Sequence, residues 1–350
     1  MQITTYGVDL AKRVFQVHWV EAQTGEVKRK TLLRQEVSEF FAQREAGVVA
    51  MEACGSAHHW GRVLSRLGHR VRLVSAQFVR PFVKSNKTDA ADAQAIWESA
   101  QRPEMRFVAL KSEEQQALLS LHRIRQQLVK VRTMQALQIR SLLYEFGIVL
   151  PKSWRALLLQ GGPVLADAEG SPIPQLLRSE LLVQLESLRS LTSRIQHLEQ
   201  AIASYRGRLE ECKRIEAIPG IGRLSSSALV ATIGDARTFR SGREMAAFLG
   251  LVPRQSGTGG RVRLLGISKR GDPYLRTLLI HGARSVITQG SRPGGTLEPW
   301  IEALLRRRPK NVAIVAVANK MARTAWALLA HGRSFDRSWS QGNAPEPAIS

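Results

Sequence analysis

Acidic residues are scarce in this chain: 29 Asp and Glu stand against 51 Lys and Arg in 350 residues, a formal net charge of +22. A field of that sign attracts polyanions, which makes nucleic acid the expected partner. Cysteine is scarcer still. Cys54 and Cys212 are the only two, too few for a disulfide framework or a Cys-ligated zinc site, and this points to a reducing cytosol. No run of roughly 18 apolar residues without a charge occurs, so no membrane span is expected. The most apolar late stretch, Val312 to Ala330, is interrupted by Lys320 and Arg323. The start, Met1-Gln2-Ile3-Thr4, lacks the basic-then-apolar build of a signal peptide. Eight histidines show no metal-ligand spacing, since His58 and His59 are adjacent rather than a helical turn apart. The hydrophobic share of 44% is enough for one large core or two to three smaller ones.

Against the basic background four acids stand out. Asp9 ends a strand-like run from Ile3, and Glu52 ends another from Val48. Asp89 and Asp92 sit at the start of an expected helix, Lys87-Thr88-Asp89-Ala90-Ala91-Asp92-Ala93. The i, i+3 spacing puts both carboxylates on one helical face. Two strand-end acids facing such a pair offer a cage of oxygen ligands suited to Mg²⁺. Each acid has a plainer role open to it: Asp9 as a turn cap, Asp89 as a solvated first-turn residue behind a Thr88 or Asn86 cap, Asp92 as a partner of Lys87 or an arginine. Together they suggest two-metal phosphodiester chemistry.

Residues 1 to about 105 read as α/β. Strands are expected at 3–9, 14–20, 48–52 and 71–74, and helices at Ser38–Glu45 and His58–Leu67. The first two strands suggest a hairpin, and a later one reached through a helix suggests a parallel crossover. In open α/β sheets ligand sites gather at strand carboxyl ends, where Asp9 and Glu52 fall. Residues 112–147 read as a long helix. Pro151, Gly161-Gly162-Pro163 and Pro172 are expected to break the next stretch, and a second long helix to run from about 174 to 214. Its apolar residues Leu188, Leu191, Ile195, Leu198, Ile202, Tyr205, Leu209 and Cys212 alternate in steps of three and four, a heptad seam that favours pairing with another long helix, in this chain or in a second copy.

The chain divides accordingly into 1–110, 111–214, 215–335 and a polar tail, 336–350, expected to be disordered. Within the third part, Ile218-Pro219-Gly220-Ile221-Gly222 is similar to a helix-hairpin-helix turn, in which Gly220 and Gly222 let backbone N–H groups approach a phosphate. Gln255-Ser256-Gly257-Thr258-Gly259-Gly260-Arg261-Val262-Arg263 and the Ser268-Lys269-Arg270 segment read as a basic, phosphate-cradling loop, followed by a helix from Pro273 with Arg276 and Arg284 exposed. Ser256 is a candidate nucleophile, because Arg254, Arg261, Arg263, Lys269 and Arg270 lie near enough in sequence to neutralise a phosphate under attack. Thr258 and Ser268 compete for the role.

These motifs resemble the DEDD-type transposases of the insertion sequence 110 family, also described as bridge-RNA-guided serine recombinases. The resemblance runs through Gly7-Val8-Asp9-Leu10-Ala11-Lys12, Met51-Glu52-Ala53-Cys54-Gly55-Ser56, the paired-Asp motif, and the segments at 218–222 and 256–272. It implies an RNase H-like (RuvC-like) N-terminal domain, long coiled-coil helices and a mostly helical C-terminal transposase domain. It further implies Mg²⁺ held by Asp9, Glu52, Asp89 and Asp92, a covalent phosphoserine link to DNA at Ser256, a structured guide RNA, and assembly as a dimer to tetramer. Lys12, Lys87 and Arg276 join the loop arginines as expected nucleic-acid contacts. Two other readings remain: a junction-cutting endonuclease that uses the same acids with water as nucleophile, and a basic nucleic-acid-binding protein without catalysis.

Overall fold

The computed structural model describes residues 3–21, 23–83, 88–167, 170–258, 261–292, 295 and 297–336. Lys87, Asn86, Gly259, Gly260 and nearly all of the tail lie outside the described residues. The chain forms two compact units, one of residues 1–116 with 233–235 and one of 117–232 with 236–350.

The first unit is built on a mixed six-stranded sheet. Strands β1 (Thr5–Leu10), β2 (Val14–Val20) and β3 (Val27–Leu33) run as an antiparallel meander. After α1 (Val37–Ala42), β4 (Val48–Glu52) lies parallel to β1. Helix α2 (Ala57–Arg66) crosses to β5 (Arg70–Val74), parallel to β4. Helices α3 (Ala76–Val79) and α4 (Asp89–Ala100) precede a short edge strand, β6 (Phe107–Val108), antiparallel to β5. The order is β3-β2-β1-β4-β5-β6.

Strand alternation sorts the sheet's two faces. Tyr6, Val8, Phe15, Val17, Val49, Met51 and Leu73 pack with Phe41 of α1 and Trp60 and Leu64 of α2. Ala50 and Val74 turn the other way, onto Ala95 and Ile96 of α4. The expected hairpin and parallel crossover are both present. Sequence reading omitted β3, whose composition is that of an exposed edge: Leu32 alone is buried, and Lys28, Arg29 and Lys30 interrupt the hydrophobic signal.

In the second unit the long helix α5 (Glu113–Glu145, its first four residues in the first unit) is followed by α6 (Trp154–Ala166) and α7 (Gln175–Arg206). Gly161, Gly162 and Pro163 do not break α6 as expected. Leu157, Gly161 and Leu165 form its buried stripe, and Gly161 brings its backbone close to Leu185 of α7. The second long helix does end early. It stops at Gly207, and α8 (Glu210–Glu216) follows as a separate element. Arg206 Nε and Nη2 donate to Glu216 Oε1 and Oε2 at 2.5 and 2.6 Å, a pairing across ten residues that a continuous helix cannot make.

The heptad seam is occupied by this chain itself. Ala136, Ile139 and Leu143 of α5 cluster with Leu181, Leu185 and Leu188 of α7, and Leu118 near the start of α5 clusters with Ile202, so the two helices run antiparallel. The seam is therefore not free for a second copy. What α5 leaves open is its other side, where Ile124, Val131, Met134, Leu137 and Tyr144 are exposed.

Beyond α8 come α9 (Arg223–Ile233), α10 (Gly242–Phe248), a β7–β8 ribbon (Pro253–Thr258 and Arg261–Ile267), α11 (Pro273–Gly290), α12 (Pro299–Arg307) and α13 (Lys310–His331). By length and composition α13 matches a membrane span, but Ala313, Ile314, Val317, Ala318, Met321, Ala322 and Ala325 are buried where α8, α10 and α11 pack on it.

A buried polar junction ties α5 to α9 and α11. His122 Nδ1 lies 2.9 Å from the Tyr274 hydroxyl and Nε2 lies 3.1 Å from Ser227 Oγ, whose own proton goes to the Arg223 carbonyl. Burial, with Arg125 nearby, pushes His122 down to about 4. The unfolded chain therefore takes up a proton below about pH 6.5 that the folded chain refuses until about pH 4, and stability falls as pH drops through that window. His122→Gln is expected to remove on the order of 3 kcal/mol of that pH dependence in urea unfolding series at pH 7 and pH 4.5. Parallel losses in variant and wild type would count against it.

Candidate active site and nucleic-acid interface

The four acids converge because of one glycine. At Gly7 on β1 an added Cβ would collide with the Ala93 carbonyl oxygen and the Trp97 backbone, so α4 lies directly on the strand. Trp97 Nε1 donates to the Thr5 carbonyl at 3.0 Å and fixes the crossing. Two residues beyond Gly7 on the same strand face comes Asp9. On β4, Glu52 is two beyond Ala50, which packs on α4. Val8 pairs with Met51 in the parallel ladder, so Asp9 and Glu52 are neighbours just past it. Both stand at strand carboxyl ends, and α4 begins there with Asp89 and Asp92 in its first turn. Thr88 is the N-cap, its hydroxyl accepting from Ala91 N at 3.2 Å.

The electrostatics report the same convergence. Asp9 is pushed up to about 6, first by burial and then by the charges of Asp92, Asp89 and Glu52. Burial, Glu52 and Asp9 also raise the Cys54 thiol, placing Cys54 beside the acids, a neighbour that sequence reading did not pick out. Among the described residues none of the four acids forms an ion pair with lysine or arginine. Nor, among the described residues, do three His, Cys, Asp or Glu side chains stand close enough to grip an ion as they are. The donor set is nonetheless all carboxylate oxygen, the chemistry hard divalent cations take.

Gly7→Ala is expected to lower stability by roughly 1–3 kcal/mol through overpacking of α4 on β1. Gly55, where an added Cβ meets nothing within 4 Å, supplies the control. Equal unfolding midpoints for Gly7→Ala and Gly55→Ala would refute the close-approach argument.

The second unit presents the expected basic segment in a different form. The stretch around Ser256 is a two-stranded ribbon rather than a loop, with Ser256 opposite Arg263 and Thr258 opposite Arg261. Directly opposed residues in an antiparallel pair share a face, so Ser256 and Arg263 point the same way. Arg254, Gln255, Ser256, Arg261, Arg263, Leu264 and Leu265 are all exposed. The Gly-rich composition masked the strand signal. At the ribbon's base Gly250 and Gly271, with φ of +72° and +84°, lie against the backbones of Arg270 and Phe248, where a Cβ would collide. Lys269 also has positive φ, 54°, and it is exposed with Arg270. Ser268 is held in the base, its N–H on the Val252 carbonyl at 2.8 Å.

Arg276 departs from expectation. It is half-buried and donates to the carbonyls of Leu249 and Arg270, both at 3.2 Å, bracing the ribbon instead of facing solvent. Gly220 departs too: with φ of +89° it packs against Gly282, Val286 and Met321, whereas Gly222 is open to solvent. Lys12 is exposed in the β1–β2 turn. Sequence reading missed Gly7, although a glycine inside a strand is itself a signal of close backbone approach.

Residues 6–148 match a DEDD family described as Transposase, and residues 212–294 match one described as Transposase IS116/IS110/IS902 family. The class is thus that of transposases, enzymes that cleave and rejoin DNA. A probable family 20 transposase of Pseudomonas aeruginosa is 49% identical over 330 residues, covering 94% of this chain and 97% of that protein. The transposase for insertion sequence element IS1328 of Yersinia enterocolitica is 40% identical over 96% of this chain and 99% of its own length. That for element IS1111A of Coxiella burnetii is 38% identical over 95% and 91%. The chain belongs to the IS110 family of transposases.

Proposed function

We propose that the protein cuts and rejoins insertion-sequence DNA through a covalent phosphoserine intermediate at Ser256, with Mg²⁺ held by Asp9, Glu52, Asp89 and Asp92 in an RNase H-like first unit. The observation that carries the metal site is the convergence of four carboxylates, without a described cation partner, on one sheet face. Mg²⁺ when bound draws charge from the phosphate oxygens under attack. The four carboxylates would hold that ion, and the negative field of Asp92, Asp89 and Glu52 that helps raise Asp9 would favour its arrival.

Ser256 supplies the nucleophile. Its Oγ forms a new bond to phosphorus, the scissile P–O bond breaks, and the leaving strand departs as a hydroxyl after taking up a proton, while the serine proton passes to solvent. Rejoining reverses these steps with a second strand's hydroxyl, so no high-energy cofactor is consumed. Arg263, on the Ser256 face, supplies positive charge to the phosphate. Lys12, Arg254, Arg261, Lys269 and Arg270 hold the backbone, and Gly222 offers an open turn for a further phosphate contact. A structured RNA from the element, implied by the family resemblance, selects the DNA sites. The exposed apolar side of α5 is the surface on which copies of the chain associate.

The test is a denaturing gel of labelled element-junction DNA incubated with protein, Mg²⁺ and co-expressed RNA. A protein-sized adduct that requires Mg²⁺ is expected. Cleavage without an adduct would move the protein to the water-using nucleases, and no cleavage of any substrate would leave a passive binder.

A further inference from the structure

A cavity of about 230 Å³ in the helical part of the second unit is lined by Arg132 of α5, Trp154 and Arg155 of α6, and Thr192, Gln196 and Glu199 of α7. None of these residues belongs to the ribbon or to the acidic site. The Arg132 guanidinium lies 4.4 Å from the Trp154 ring centroid and that of Arg155 lies 5.0 Å from it. The one acid in the lining is already engaged, since Glu199 Oε1 accepts from Arg125 Nε at 2.8 Å and from Nη2 at 2.5 Å. Arg132 Nε, by contrast, is buried and has no hydrogen-bond partner. A buried donor of a charged group left unsatisfied is costly, and an acceptor seated in the cavity, a water or an anion, would satisfy it.

Size and charge narrow what that acceptor is. Pockets for whole drug-sized ligands run to roughly 300–1,000 Å³, so this one suits a single small group. Two guanidiniums already lie over the indole, which leaves little ring surface for a stacked base. Two arginines line the cavity, a third stands beside it, and the single carboxylate is spoken for, so the site favours an anion. Guanidinium groups match tetrahedral oxyanions through paired N–H donors. Burial lowers Arg132 from its ordinary range; the Glu199 carboxylate opposes that shift and Arg125 and Arg155 add to it, and a bound anion would relieve what remains.

We propose that this cavity is a phosphate-binding site, in which Arg132 and Arg155 clamp one backbone phosphate of the nucleic acid the protein works on. The proposal takes from the preceding section only that the chain handles nucleic acid. It does not depend on the acids or on Ser256.

The test measures binding of full-length protein to labelled duplex DNA and to a structured RNA across a salt series in EDTA, where no strand is cut. Arg132→Gln and Arg155→Gln are each expected to weaken binding to at least one of the two by roughly three- to tenfold and to reduce the slope of log K against log salt by about one. Inorganic phosphate is expected to raise the wild-type melting temperature more than that of Arg132→Gln. Unchanged slopes in both variants overturn the proposal. So does phosphate stabilisation that disappears in Arg132→Gln while both nucleic-acid affinities hold, which would mark a site for free anions. Should Arg132→Gln fail to fold, Arg155→Gln at the exposed mouth carries the measurement alone. Failure of the gel assay above with these slopes altered would sink the catalytic reading and leave this one standing.

Discussion

Asp9→Asn is expected to abolish strand cleavage and, in the same protein, to raise the melting temperature. The two effects have one cause. In the metal-free protein Asp9 is forced to ionise among three other carboxylates and in partial burial, which is why it is pushed up to about 6. Its folded value lies above the unfolded one. The folded state therefore holds a proton that the unfolded state has already released, and stability is lost as pH rises from about 4 through 6. Asparagine keeps the shape and removes the charge. At pH 7.5 the gain is roughly 1–2 kcal/mol after discounting for partial exposure, or a few degrees in melting temperature. At pH 4 it shrinks toward zero. Cleavage, in contrast, loses a ligand oxygen that a divalent ion needs, and a drop of about a thousandfold or more is expected. Melting curves at pH 4 and 7.5, read with the junction-DNA gel, check both halves. An unchanged melting temperature at pH 7.5 would remove Asp9 from the acidic cluster, and retained cleavage would remove it from the metal site.

Ser256→Ala is expected to eliminate the protein–DNA adduct entirely while leaving the unfolding free energy within about 0.5 kcal/mol of wild type, as for other exposed substitutions. The residue is exposed on β7 and supports no core. Arg263→Ala on the same face should slow adduct formation by roughly a hundredfold, since the arginine stabilises charge rather than forming the bond. An adduct that survives Ser256→Ala transfers the role to Thr258, opposite Arg261 in the ribbon. Ser268 is the weaker substitute, because its backbone is hydrogen-bonded into the ribbon's base.

The acids were legible in the sequence because each sits at a position with its own periodic signal, a strand end or a helix start. That they share one face was only half legible. Period-two alternation places Asp9 on the face opposite Val8, but the approach of α4 depends on Gly7, and its closeness is a tertiary fact. The α5–α7 pairing shows the same limit from another side. A three-four seam announces a helical partner without saying whose, and here the partner is the same chain. The early end of α7 lay hidden because Leu209 and Cys212 continue the spacing across a break made by Arg206 and Glu216. Gly161 and Pro163 misled in the opposite direction: composition argued for a break, and burial of one helix face against Leu185 overrode it. Around Ser256 the glycines read as a loop, whereas the backbone pairs as strands.

The exposure of most of the ribbon's described side chains has a consequence for how such a protein changes over generations. Natural proteins sit only slightly above the stability that function demands, so most altered residues are filtered by their effect on folding. Arg254, Gln255, Arg261, Arg263, Leu264 and Leu265 escape that filter, because their side chains are exposed and the ribbon is braced at its base by Gly250, Gly271 and Arg276. On the proposed reading, variation at Arg254, Gln255, Arg261, Leu264 and Leu265 changes how the ribbon meets DNA without altering the scaffold, while Arg263 is kept by its place opposite Ser256.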